Sequence, residues 1–241
     1  LFGSPVAGAG VGIDNIAFLS WFQYGGGREL YDQLWDEMGM NIKGFMLQPV
    51  GPEALGWFKE PIKSMDDFRK YRFRTPPGIP GQTYKDIGVA SVAMGGGEIY
   101  TAIKLGTIDG TYWDTGGIDD MSFQEVIKYA AQPGWAPAQH QEIFLNLGKY
   151  NELTDWQREK IDGVFKSTYF ETSKLHEDGV SHALQVLKDA GGEVINFAPE
   201  EVKRMRDKSI ADVWPKVAER SKRNAKGIEI MKQYLKDKGE L

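Results

Sequence analysis

The sequence contains no cysteine, which excludes disulfide bridges and every metal site built on thiolates. Histidine is scarce: His140, His176 and His182 are the three present. His140 is isolated in the chain, while His176 and His182 stand six apart, a spacing that puts them on different faces of a helix. A zinc site is therefore not expected. No stretch of the 241 residues approaches the apolar length that crosses a bilayer. Glycine is plentiful, yet "GGGE" at Gly95–Glu98 is followed by no Lys-Ser/Thr pair, and its spacing fits no nucleotide fingerprint. A Gly-X-Ser-X-Gly nucleophile motif is also missing, as are internal repeats and low-complexity tracts. Nothing in the chain requires catalysis.

What is present describes a folded protein. A hydrophobic share of 41% with 12% aromatics is enough to build a core. The length suits one large domain or two medium lobes. A net charge of −5 gives no electrostatic reason to expect nucleic acid or anionic lipid as a partner.

Strand and helix signals alternate along the chain. Leu1–Gly12 reads as a buried strand or crossover, and Asn15–Tyr24 as a short helix stopped by Gly25–Gly27. Arg28–Met38 places Leu30, Tyr31, Leu34, Trp35 and Met38 on one helical face. "NIKGFMLQ" reads as a strand before a glycine-rich turn over Pro49–Gly56. Ser64 with Asp66 and Asp67 begins a brief helix, the acids lying at the positive end of its dipole. Tyr71–Thr75 extends until Pro76-Pro77-Gly78 stops it. Gln82–Ile87 is helical and "VASVAM" is a strand. Glu98–Leu105 forms an amphipathic helix with Gly106 as its left-handed cap, and a short strand follows, ending in Tyr112-Trp113-Asp114. "TGGIDDMSFQEVIKYAA" reads as a turn and one or two short helices, "QPGWAPAQHQ" as a loop, and "EIFLNLGKY" as a strand. Thr154–Ala190 is a long helix with a break expected near Gly179. "GGEVINF" is a strand, and a last helical region from Ala198 is expected to break near Pro215. This alternation argues for βαβ units, an α/β class and a mostly parallel sheet.

Two places could carry chemistry. Arg74 ends a short strand beside a Pro/Gly turn, a setting suited to a bidentate grip on a carboxylate. From spacing alone a surface ion pair is the commoner role of such an arginine, and that is the reading for Arg69 and Arg72. Trp113 and Asp114 bring an indole and a carboxylate to one strand end, where open α/β sheets border ligand crevices. A tryptophan there also serves as ordinary core.

The ordered run "GFMLQPVGPEALGWF", "EPIKSMDDFRKYRFRTPPG" and "GGGEIYTAIKLGTIDGTYWD" resembles the solute-binding subunits of TRAP transporters, the DctP family. Within it, the run is similar to binders of 2-oxo and 2-hydroxy monocarboxylates of the pyruvate and lactate type. The resemblance covers nearly the whole chain. It implies a two-lobed, periplasmic-binding-protein-like α/β fold with mostly parallel sheets and a long hinge helix. It also implies that the fold is N-terminally incomplete, because "LFGSPVAGAGVG" resembles a point well inside a first lobe. On this basis residues 1–24 belong to lobe 1, residues 25–140 mainly to lobe 2, and residues 141–241 return to lobe 1 with the hinge helix.

The same resemblance assigns roles. Arg74 would clamp the ligand carboxylate and Trp113 would line the pocket. A cation held by Asp114 and oxygens near Trp113 would remove repulsion between protein and ligand carboxylates. Calcium is the expected ion, with sodium as the alternative. Glu53, four residues before Trp57, would touch ligand and metal and favour a divalent ion, or else lie solvated. Gln139 and Glu142 are candidates for a further oxygen ligand. Tyr24 and Trp21 wall the pocket or belong to the core. The implied function is extracytoplasmic capture of a small organic acid in the periplasm for delivery to TRAP permease subunits. A homodimer through Gly227–Leu241 would follow some relatives. The alternatives are a binder of a dicarboxylate or sugar acid, and an α/β enzyme using Asp114 and Glu53 as acid and base.

Overall fold

Strand ends organise the structure, a computed structural model that describes residues 19, 22–50, 54–134 and 139–237. The readings made for Leu1–Gly12, for Trp21 and for Glu53 lie outside the described residues. Six strands form the larger sheet: β2 (Gly56–Phe58), β3 (Arg72–Thr75), β4 (Ala90–Ala93), β5 (Gly110–Thr111), β6 (Tyr129–Gln132) and β8 (Glu193–Asn196), in the order β4-β3-β5-β2-β6-β8. β3 pairs in parallel with β4 and β5, and β6 in parallel with β8. β2 runs antiparallel to both of its neighbours. The sheet is thus mixed, with parallel pairs predominating and one short reversed strand buried at its centre.

Between β3 and β4, Gly78 ends the Pro76-Pro77 stop in a positive-φ conformation (97°), and α3 (Ile79–Asp86) crosses over. The earlier helix α2 (Met65–Phe68) starts as its sequence demands, with the Ser64 hydroxyl accepting the Asp67 N–H. Phe58, Phe68, Phe73 and Tyr84 pack edge-on and stacked beneath β2 and β3, all fully buried. α4 (Ile99–Lys104) buries Ile99, Ala102 and Ile103, and Gly106 at φ 72° turns the chain into β5.

The second sheet has two strands, β1 (Ile42–Val50) and β7 (Gln139–Asn146), antiparallel from Ile42↔Asn146 to Val50↔Gln139 with a register shift between Met46 and Gln48. α1 (Gly27–Glu37) packs on β1 through fully buried Tyr31. After the short α6 (Leu147–Asn151) comes α7 (Asp155–Asp189), 35 residues long. Its start is a capping box: Thr154 Oγ1 accepts the Gln157 N–H, and Gln157 Oε1 accepts the Thr154 N–H. α7 ties the two sheets together. Phe165 stacks on Phe45 of β1 at 4.5 Å, while Ala183 and Leu187 enter the core around Trp57 and Ile99.

Four local expectations are corrected. Leu147–Tyr150, read as the end of a strand, is helical, because the Asn146 side chain caps that turn by accepting the Lys149 N–H. α7 runs through Gly179 without a break, because one glycine costs only about 1 kcal/mol in a helix whose flanks are packed on both sheets. Tyr129–Ala131, read within a stretch of turn and short helices, and Gln132, read as loop, form a strand, since β2 and β8 offer it ladders on both edges. The C-terminal region does not break at Pro215. α8 (Pro199–Lys208) passes through a wider π turn, Ser209–Val213, into α9 (Trp214–Glu219). That puts Pro215 in a first turn, where its missing N–H is tolerated. The interruption falls at Arg220–Ser221, before α10 (Lys222–Asp237).

Candidate functional site

Three parallel strands, β4, β3 and β5, end side by side, and Arg74 lies across their ends. Its backbone pairs with Val92 on one side and Thr111 on the other. The side chain is 4% exposed. Nε and Nη2 donate to the carbonyl of Met94, the first residue beyond β4, at 3.0 and 2.9 Å. Nη1 donates to the carbonyl of Tyr112, the first residue beyond β5, at 2.9 Å. The guanidinium is therefore fixed in plane and position by the sheet itself.

Trp113 follows directly. Its ring centroid lies 5.1 Å from the Arg74 guanidinium carbon, within cation–π range. Two glycines make room for the indole. A Cβ on Gly96 would lie 2.6 Å from the ring, and one on Gly117 would lie 2.2 Å from Cδ1. From below, the fully buried Trp57 of β2 donates its indole N–H to the Trp113 carbonyl at 2.8 Å. Trp57, Met94, Gly96 and Gly117 were not singled out from sequence as parts of a site. Gly96 stands in the "GGG" turn, a signal of close backbone approach, but nothing local marks Trp57 as the support of Trp113.

Asp114 is half-buried at the start of α5 (Gly117–Asp120). Burial pushes its carboxyl above the usual range. Backbone N–H groups of Gly116 and Gly117 and the nearby His176 pull the other way, while Asp120 adds to the rise. A Cβ on Gly116 would lie 3.0 Å from Asp114 Oδ1 and 3.4 Å from Asp120 Oδ2, so two carboxylates flank that glycine. Hard oxygen donors of this kind suit calcium or sodium in chemistry. Among the described residues, however, no cluster of three or more acids or histidines converges on one point. The carboxylate also serves locally, capping the turn into α5.

The remaining candidates are spread out. Glu142 is on β7, where it accepts the Tyr31 hydroxyl at 2.7 Å; burial and this carboxylate push the Tyr31 phenol up. Gln139 begins β7 opposite Val50; its side chain lies outside the described residues. Tyr24 is 86% exposed just before α1. Arg69 and Arg72 are ion-paired as expected, with Asp66 at 3.1 Å and Asp109 at 2.8 Å. His140 is not isolated: its Nδ1 and the Tyr169 hydroxyl of α7 are 2.7 Å apart. His182 reaches Asp119 at 3.3 Å. A cavity of about 220 Å³ opens elsewhere, between α1, β1 and α7, lined by Arg28, Phe45, Asp162, Phe165, Lys166 and Tyr169 among others. Arg74, Trp113 and Asp114 do not line it, and its charged rim lacks a buried, carbonyl-anchored cation. The strand ends remain the better candidate.

The DctP family model, described as bacterial extracellular solute-binding protein, family 7, matches residues 12–221. A monocarboxylate 2-oxoacid-binding periplasmic protein of Nostoc sp. is 30% identical over 157 residues, which is 64% of this chain and 41% of that protein. The chain thus spans less than half the length of that relative. A TRAP transporter solute binding protein from Bordetella bronchiseptica, a mixed-occupancy dimer with calcium and picolinate bound, superimposes with a TM-score of 0.86 at 22% identity, covering 99% of this chain and 70% of that one. A counterpart from Pseudoalteromonas atlantica with bound sodium and pyruvate gives 0.77 at 24% identity, covering 90% and 66%. The two structural likenesses establish the fold.

Proposed function

The chain belongs to the DctP family of bacterial extracellular solute-binding proteins, and from that membership we propose that it captures a small 2-oxo or 2-hydroxy monocarboxylate for TRAP permease subunits. The family is one of solute-binding proteins, not of enzymes. Among the described residues no helix is long and apolar enough to cross a membrane. Work in the periplasm is part of the proposal.

The observation that carries it is the anchored Arg74. A guanidinium held by two strand-end carbonyls keeps its charge and orientation before ligand arrives, so little entropy is lost when a carboxylate pairs with it. Trp113 beside it excludes water and strengthens that pairing. Asp114 would repel the same carboxylate. A calcium ion, or sodium in its place, held by Asp114 with oxygens near Trp113, turns repulsion into a bridge. The Nostoc relative's 2-oxoacid and the pyruvate of the Pseudoalteromonas structure favour a small acid. Ligand in the cleft between lobes favours closure only through contacts made to both sides.

The test is a thermal-shift panel of pyruvate, lactate, malonate and a sugar acid, each with calcium, with sodium and after chelation. Stabilisation by pyruvate or lactate that needs a cation supports the reading. Stabilisation by malonate or the sugar acid alone would replace the substrate class while keeping the family role.

A further inference from the structure

Beyond β5, successive carbonyls find donors outside the sheet ladder. The Tyr112 carbonyl accepts from Arg74 Nη1 at 2.9 Å, and the Trp113 carbonyl from the Trp57 indole N–H at 2.8 Å. The Asp114 carbonyl accepts the Gly117 N–H at 3.2 Å, closing the local turn. The first two carbonyls belong to the peptide units on either side of the Trp113 Cα. A peptide unit is planar, so holding both carbonyls restrains the backbone angles of Trp113 and the direction of its side chain. Arg74 holds one plane and Trp57 the other.

Trp57 can do this because it is itself immobile. It lies in β2, opposite Thr111 of β5 and Ala130 of β6, and is fully buried. Its core cluster includes Ile103 of α4, Ile118 of α5 and Leu187 of α7. A buried tryptophan presents one polar atom, its N–H, and that atom needs a partner. Phenylalanine would meet the demands of an aromatic core at this place, but it has no donor. The Trp113 ring meanwhile stands against Gly96 and Gly117, each without the Cβ that would strike it. That slot admits the ring only at the angle its backbone sets.

We propose that Trp57 is a positioning residue for ligand capture. Its N–H holds the Trp113 carbonyl, aims the Trp113 ring at the Arg74 guanidinium and sets the point from which the Asp114 side chain departs. The proposal rests on the reading of these strand ends as the ligand site, and adds to it a residue that acts through another.

The experiment compares two changes at position 57 with a packing control. Trp57→Phe removes the donor, and 3-benzothienylalanine at position 57 replaces the N–H by sulfur while keeping the ring's shape. The control is Ile108→Val, a change to a fully buried member of the same cluster that precedes β5, where Trp113 follows it. Two-dimensional ¹⁵N–¹H spectra of the indole groups report the Trp113 ring, and calorimetric titration of pyruvate and lactate in calcium reports affinity. Both position-57 variants should shift the Trp113 indole resonance and weaken binding by roughly tenfold or more, the effect of one hydrogen bond lost to a buried carbonyl. Circular dichroism should stay that of the wild type. Ile108→Val should leave the resonance and the affinity in place. An unmoved Trp113 resonance in the sulfur variant would overturn this proposal alone, as would an equal loss in Ile108→Val. So would binding that the sulfur variant keeps and Trp113→Ala loses. Binding that survives in Trp113→Ala, or no binding of either acid by the wild type, would overturn the functional reading and this proposal with it.

Discussion

The guanidinium carbon of Arg74 stands 5.1 Å from the centre of the Trp113 ring, while three of its N–H bonds run to the carbonyls of Met94 and Tyr112. Cation and indole are thus fixed against each other by backbone, not by another flexible side chain. The arrangement predicts that Arg74→Lys fails where charge alone would suffice. A lysine ammonium is a compact point donor and cannot span two carbonyls and a ligand in one plane. Titration should show ligand affinity falling at least tenfold in R74K, with the fold retained in circular dichroism.

Gly117 gives a second prediction, because its missing Cβ is the space that the Trp113 indole fills. Gly117→Ala would force the indole aside at a cost of about 1–3 kcal/mol. Tryptophan fluorescence should change and ligand affinity should drop. Gly97→Ala is the control, since nothing lies within 4 Å of its added Cβ and its φ is not positive. Its melting temperature and affinity should stay at wild-type values.

His140 makes a pH prediction. Burial lowers its pKa from 6.5 to about 3. With the folded value below the unfolded one, the neutral ring's contribution is fully present above about pH 6.5 and is lost as pH falls toward 3. The shift corresponds to something on the order of 4–5 kcal/mol at the acid end. Urea unfolding at a series of pH values should show H140F losing stability less steeply than wild type between pH 6.5 and 4.

Gly179 lies inside α7 with helical residues on both sides and open space where a Cβ would stand. Gly179→Ala should stabilise the protein by roughly 0.5–1 kcal/mol, from helix propensity and a less flexible unfolded chain. Calorimetric melting checks this. A lowered melting temperature would show that α7 needs flexibility there.

The placement of Arg74, Trp113 and Asp114 at neighbouring strand ends was legible because residues at strand ends beside Gly/Pro turns form a local pattern. What holds them was not. Trp57 reaches Trp113 across 56 residues of sequence, and the Tyr31 hydroxyl reaches Glu142 across 111. Such pairings depend on sheet order, which periodicity does not encode. The helical reading of Tyr129–Ala131 failed for the same reason, since "IKYAA" is helix-compatible until two strand edges compete for its backbone. Gly179 and Pro215 were over-read as breaks. Local breakers yield when a long helix is held from both ends, or when a π turn moves a proline into a first turn. Caps at Ser64 and Gly106 were read correctly, because each involves only its own turn.

The most direct test of the central assignment is calorimetric titration of pyruvate and of lactate into wild type and Arg74→Ala, each in calcium and again after chelation. The account predicts saturable binding by wild type in calcium, sharply weakened by chelator, and weakened at least a hundredfold by the substitution. Wild-type affinity in Arg74→Ala would contradict it.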